Sequence, residues 1–240
     1  MDVAGILQQN LTDVRNQMDS ALRRSGRAAD AVRLVAVTKY ARLEWVRELI
    51  ALGVRDLGES RPQQLVERAE QLDSDLRWHL TGPLQRNKAR RTLPYCSLIH
   101  SIDSLRLLER LEVLAGELNL SPQLLLQVNI SGEEAKQGFT PEELRSATAQ
   151  LARLQRVQVA GLMTMAPHTS RREETRPVFR GLRELRDELA DQLQGRWPLT
   201  ELSMGMSSDF AVAIEEGATM VRVGSALFDG LEQPATGENH

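Results

Sequence analysis

The stretch LVAVTKY, residues 34–40, runs through aliphatic side chains and reaches Lys39. A strand alternates its faces, so Val35, Val37 and Lys39 share one side. Two readings are open. A lysine at a strand end commonly snorkels its ammonium into water. On an inward face it stands at the mouth of a packed interior, where its amine can form a Schiff base with a carbonyl compound. Two more segments carry groups suited to an anion. MGMSSDF puts Ser207 and Ser208 ahead of a helical stretch, and VRVGSALF puts Gly224 and Ser225 just after a strand. The backbone N–H groups and dipole of a helix N-terminus favour phosphate. Either segment alone also reads as a common cap or turn. Arg222 precedes Gly224 by two residues and shares its face. An inward guanidinium needs a partner, in an ion pair or on a ligand.

These residues need elements that gather them. An N-terminal helical pattern covers residues 2–25, with Val3, Ile6, Leu7, Leu11, Val14, Met18 and Leu22 at spacings of three or four, stopped by Ser25-Gly26. Strand-like and helix-like segments then alternate. VRLVAV, VRDLGES, LRWHLTG, CSLIHSI, PQLLLQVNI, VQVAGLM, TELSMGM and TMVRVGSALF read as eight strands. Between them, one helix opens near Pro62 and another is capped by Asp103. A third carries a Thr140–Pro141–Glu143 capping box, and a long charged helix spans about 171–193. Alternation implies parallel strands, and eight units fit an α/β fold: a single (β/α)8 TIM barrel with an extra N-terminal helix. An open Rossmann-like sheet lacks support, because no G-x-G-x-x-G follows the first strand.

A barrel works at the C-terminal ends of its strands, and the loops after strands seven and eight often bind phosphate. Those ends carry Lys39, Glu59 and Ser60, His79, His100, Asn129, Met163 and Met165, and Met204 and Met206. His79 also reads as a satisfied core histidine, and the methionines as packing or soft walls for a flat ligand. His100 and His168 carry no spacing signal, and no H-E-x-x-H occurs, so no metal is expected.

The totals narrow the class. The chain has 240 residues, 41% hydrophobic, and a net charge of −3, which argues against a general nucleic-acid binder. A single cysteine, Cys96, allows no intrachain disulfide and suits a reducing cytoplasm. The start lacks the pattern of a secretory signal, and no run approaches the roughly 18 apolar residues of a membrane span. Residues 1–230 are expected to form one barrel domain, and LEQPATGENH, 231–240, a disordered tail.

LVAVTK, GES, WHLTGPLQRNK, HSIDS, LLQVNISGEEAKQGF, GLMTMAP, LSMGMSSDF and GATMVRVGSALF together resemble the pyridoxal phosphate homeostasis proteins, the YggS/PROSC group. The resemblance covers nearly all of residues 30–228. It implies a fold-type III barrel like the N-terminal domain of alanine racemase, with pyridoxal 5′-phosphate held by Lys39 as a Schiff base. It implies that Ser207, Gly224 and Ser225 hold the phosphate and that Arg222 faces the pyridine nitrogen. Ser60, His79 and Met204 complete the expected cofactor contacts, although Ser60 stands where the family usually has asparagine. The implied role is to buffer and deliver the cofactor to apoenzymes without turnover, as a monomer or weak dimer. The alternative is a racemase or lyase acting on a small amino acid. Such a racemase needs a second base, a tyrosine from an added domain. Tyr40 follows Lys39 directly and is expected on the opposite face of its strand.

Overall fold

In a computed structural model, which describes residues 2–72, 75–133, 136–167, 169 and 171–232, the alternating pattern closes on itself. The leading helix, α1 (Val3–Arg24), buries Leu7, Leu11, Val14, Met18 and Leu22, the stripe that its spacing marks. Asp2 caps it by accepting from Gly5 N at 3.0 Å. The strands are β1 (Arg33–Val37), β2 (Asp56–Glu59), β3 (Arg77–Leu80), β4 (Leu98–Ile102), β5 (Gln123–Gln127), β6 (Gln158–Met163), β7 (Glu201–Ser203) and β8 (Met220–Val223). The helices between them are α2 (Leu43–Ala51), α3 (Pro62–Gln71), α4 (Arg86–Thr92), α5 (Leu105–Leu118), α6 (Pro141–Ser146), α7 (Thr148–Arg153), α8 (Arg176–Gln192) and α9 (Phe210–Glu215). The strands pair in parallel in chain order, and β8 returns to β1 with Arg33 opposite Met220 and Ala36 opposite Val223. The eight-stranded (β/α)8 barrel is therefore closed.

Two apolar regions hold it. The larger fills the layer between strands and helices. The smaller lies within the barrel and consists of Val35, Leu98, Leu125, Ala160, Met163 and Met220. Local expectations needed four corrections. Ser104, not Asp103, caps α5, because its hydroxyl accepts from Leu107 N. The helix expected after Thr140 breaks at Ala147 into α6 and α7, although its capping box is present. The last strand stops at Val223, and Ser225–Leu227 form a 3-10 turn. Leu231, placed in the tail, is buried against the core, whereas residues 233–240 lie outside the described ones. No helix among the described residues is long and apolar enough to cross a membrane.

An ion-pair cluster docks α9, whose preceding turn reaches the site. Arg176 meets Glu173, Glu215 and Glu216, and Arg180 and Arg183 also reach Glu216. Burial alone raises the pKa of Glu216, but hydrogen bonds from Arg180 and Arg176 outweigh it and hold the carboxyl below its ordinary value. The folded chain therefore binds fewer protons here than the unfolded one. The stability this lends is full above the ordinary value of 4.5 and is lost as pH falls through the lowered one. Glu216→Gln is expected to cost about 1–2 kcal/mol at pH 7, because the arginines are only partly buried. Urea unfolding should show that gap shrinking below about pH 4.

Candidate functional site

The closure of β8 on β1 brings the two strand ends together. A Cβ on Gly224 would lie 3.2 Å from the Val37 carbonyl oxygen, so the two chains leave little room for a side chain there. Lys39 follows Val37 by two residues, and Ser225 follows Gly224. The turn after β7 completes the cluster. The half-buried Ser207 hydroxyl accepts from Gly224 N at 3.2 Å and Ala226 N at 3.3 Å. Two backbone N–H groups thus converge on one oxygen, the arrangement an anion uses. Gly205, with φ +91°, starts this turn in a conformation that side chains rarely adopt. Ser225 and Ser208 are exposed.

The helix start was expected to supply the anion donors, but α9 has only six residues and begins at Phe210, after Asp209. Ser207 and Ser208 lie upstream in a turn closed by Met206 N donating to Asp209 Oδ1 at 2.6 Å. The donors that converge come instead from the loop after β8.

Lys39 is exposed, so the enclosure expected for its amine is absent. β1 ends at Val37, and Ala41 N donates to Thr38 O at 2.9 Å, curling the chain into a turn. Strand alternation therefore stops before Tyr40. Instead of facing away, the Tyr40 ring lies beside Lys39, its centroid 4.8 Å from Nζ.

Beneath the turn, on the helix side of β2, sits a buried ion pair. Glu59 Oε1 accepts from Arg68 Nη1 and from Thr38 Oγ1, each at 2.5 Å. Arg68 also donates to Thr38 O at 2.9 Å and to Ala41 O at 2.6 Å. One guanidinium thus pins both ends of the segment that carries Lys39. Burial raises the Glu59 pKa, and Arg68 acts against that rise. Glu59 was noted as a strand end, but Arg68 was missed. Its signal was position: it falls three residues after Leu65, on the buried stripe of α3.

Inside the barrel, Arg222 is 4% exposed. It donates from Nη1 to Ser203 Oγ at 2.7 Å and from Nη2 to Thr164 O at 3.0 Å. Burial draws its pKa down to about 10, opposed by the charge of Asp209. No carboxylate pairs with it among the described residues, leaving a buried cation at the level of the β6 and β7 ends. Ser60 lies partly buried just past β2.

Two expected contacts sit elsewhere. His79 is buried and bonded at both ring nitrogens, to Asp56 and His100, below the rim. Met204 alternates with the inward Ser203 and is wholly buried in the outer core, so it walls no pocket. His100, given no role, bonds His79 and Ser203. The available signal was that His79 and His100 lie on neighbouring strands. His168 lies outside the described residues.

A strand-one lysine beside donors from the loop after strand eight, with an inward arginine near the same rim, defines a barrel of the alanine racemase kind. Alanine racemase of Clostridium difficile 630 shares that fold at a TM-score of 0.70, with 16% identity, 92% of this chain and 56% of that one covered. The chain belongs to the family described as alanine racemase, N-terminal domain, which matches residues 10–232. Within it the chain belongs with the pyridoxal phosphate homeostasis proteins. That of Aquifex aeolicus is 41% identical over 92% of this chain and 96% of its own. That of Pseudomonas aeruginosa is 39% identical over 95% and 97%. PipY of Synechococcus elongatus PCC7942, solved with PLP bound, superposes at a TM-score of 0.82 with 41% identity, covering 92% of this chain and 99% of that one.

Removing one member of a buried ion pair strands the other. Arg68→Met should lower the unfolding free energy by about 3–5 kcal/mol. Adding Glu59→Gln should restore part of the loss, measured by chemical denaturation.

Proposed function

We propose that this protein binds pyridoxal 5′-phosphate at the β7–β8–β1 rim and acts as a reservoir that delivers it to apoenzymes. The observation that carries the proposal is the convergence of Gly224 N and Ala226 N on the Ser207 hydroxyl, on the strand next to Lys39. The residues fit the group. Lys39 supplies an amine for covalent attachment to the aldehyde, with loss of water. Gly224 N and Ala226 N, which here donate to the Ser207 oxygen, would turn to a phosphate oxygen, and the Ser207 and Ser225 hydroxyls would add donors. Arg222 supplies a buried N–H donor for the ring nitrogen, and Ser60 lines the edge. When bound, the cofactor offers an aldehyde carbon and an electron-withdrawing ring. A guanidinium only donates, so Arg222 leaves that ring nitrogen unprotonated and its electron demand low. The names of the relatives and the PLP-bound PipY support this reading.

The carrier reading is favoured over a racemase or lyase for two reasons. Its homeostasis relatives are not named as enzymes. Tyr40 also lies beside the Lys39 ammonium, on the same side as the amine and not across from it, which speaks against it as an opposing base. On this reading residues 1–230, with Leu231 packed on their core, act as one domain, in the cytoplasm, as a monomer or weak dimer.

Incubation with the cofactor, borohydride reduction and peptide mapping should place the label on Lys39. Lys39→Ala should abolish the label and the visible absorbance; labelling of Lys88 or Lys136 in the unmodified protein contradicts the assignment. Replacing Ser207 and Ser225 together with alanine should weaken binding about tenfold or more, as expected for lost hydrogen bonds to a charged group. Binding of pyridoxal, which lacks the phosphate, should hardly change. Equal losses for both ligands refute the cup. The purified protein should not racemise alanine or serine, and turnover lost in Lys39→Ala favours the enzyme.

A further inference from the structure

We propose that Asp56, His79, His100 and Ser203 form a one-way hydrogen-bond chain inside the barrel that positions Arg222 for the ring nitrogen of the cofactor. The proposal deepens the binding reading above and rests on it for the identity of the ligand. The contacts run without a gap. His79 Nε2 lies 3.0 Å from Asp56 Oδ1, and His79 Nδ1 lies 2.9 Å from His100 Nε2. His100 Nδ1 lies 2.8 Å from Ser203 Oγ, which accepts from Arg222 Nη1 at 2.7 Å. His79, His100 and Ser203 are at most 2% exposed, so water does not complete their bonding.

The ends limit the direction. Arg222 can only donate, and an ionised Asp56 can only accept. Burial alone raises the pKa of Asp56, but hydrogen bonds from Arg77 and His79 overcome it and hold the carboxyl far below its usual range. At the centre, burial above all pushes His100 well below the ordinary histidine value, so its ring stays neutral. With His79 neutral as well, which is part of the proposal, one pattern satisfies every atom. His79 donates from Nε2 to Asp56, His100 from Nε2 to His79, and Ser203 from its hydroxyl to His100. The Ser203 oxygen is then turned to receive Arg222. The charged groups around the chain are Arg77 and Arg33 at its lower end, with Glu201 on Arg33, and Asp209 near Arg222.

An added proton disturbs this order. A doubly protonated His79 donates to His100, His100 must then donate from Nδ1 to Ser203, and the serine hydroxyl loses its acceptor. In this account His79 and His100 act through Ser203 and are positioning residues.

Long-range ¹H–¹⁵N correlation spectra of the histidine rings, recorded on protein without cofactor, test the order directly. His79 and His100 should both be neutral and carry the proton on Nε2 at pH 7.5. A proton on Nδ1 of either ring, or a charged ring, overturns the proposal whether or not the binding reading holds. A second arm compares affinity for pyridoxal phosphate with that for its analogue carrying carbon in place of the ring nitrogen. Loss of a charge-assisted hydrogen bond should give the unmodified protein a preference of about tenfold. In Ser203→Ala that ratio should fall to about twofold or less, a change that a general loss of packing does not produce. An unchanged ratio in a folded Ser203→Ala overturns the proposal. Failure of Lys39 to take the label, with the expected tautomers present, removes the ligand but not the chain.

Discussion

Everything at the rim depends on the closure of β8 against β1. Sequence separates Lys39 from Gly224 by most of the chain, and only the register Arg33–Met220 through Ala36–Val223 makes their strand ends neighbours. Parallel strands close in this way when helices cover the outside and side chains fill the inside. The outer layer is filled by the large apolar core, and α1 ties down the segment after β8, with Asn10 donating to Leu227 O and Asp229 O. A loosened closure separates an amine on one strand from the anion donors on the next. Neither group does the proposed job alone.

Polar groups then fix what the closure has gathered. Glu59 and Arg68, on the helix side of β2, brace the backbone around Lys39. Inside the barrel, Asp56, His79, His100 and Ser203 lead from the Arg77 end to Arg222. Buried groups of this kind carry a desolvation cost and tolerate few arrangements, because each must find its partner. That intolerance is useful at a binding site. It leaves Lys39 exposed on a rigid support and holds a buried cation in place, so neither requires a covering domain. An accessible amine suits a protein that must release what it binds.

The barrel was legible in the sequence because each strand-and-helix unit announces itself locally, by apolar runs, helical spacing and caps. Lys39 and the loop after β8 could be placed because a barrel assigns chemistry to strand ends. Partnership was much less legible. His79 was read both as a satisfied core histidine and as a cofactor contact, and its ring nitrogens bond Asp56 and His100 on the two flanking strands, as the core reading has it. Only register reveals that. Met204 was read as packing or as a pocket wall, and one position of alternation from Ser203 turns it into the outer core, which leaves packing. Tyr40 was sent to the far face by extending β1 two residues too far. Arg68 was missed because an arginine on a charged helix looks like surface until its face is known.

The central claim is that the rim holds a cofactor in order to give it up. The most direct measurement loads the protein with pyridoxal phosphate, mixes it with an excess of an apo-aminotransferase, and follows the appearance of aminotransferase activity beside an equal amount of free cofactor. The account predicts complete transfer, with the visible absorbance of the barrel falling as activity rises. Retention of the cofactor through the whole time course, with the apoenzyme still inactive, contradicts it.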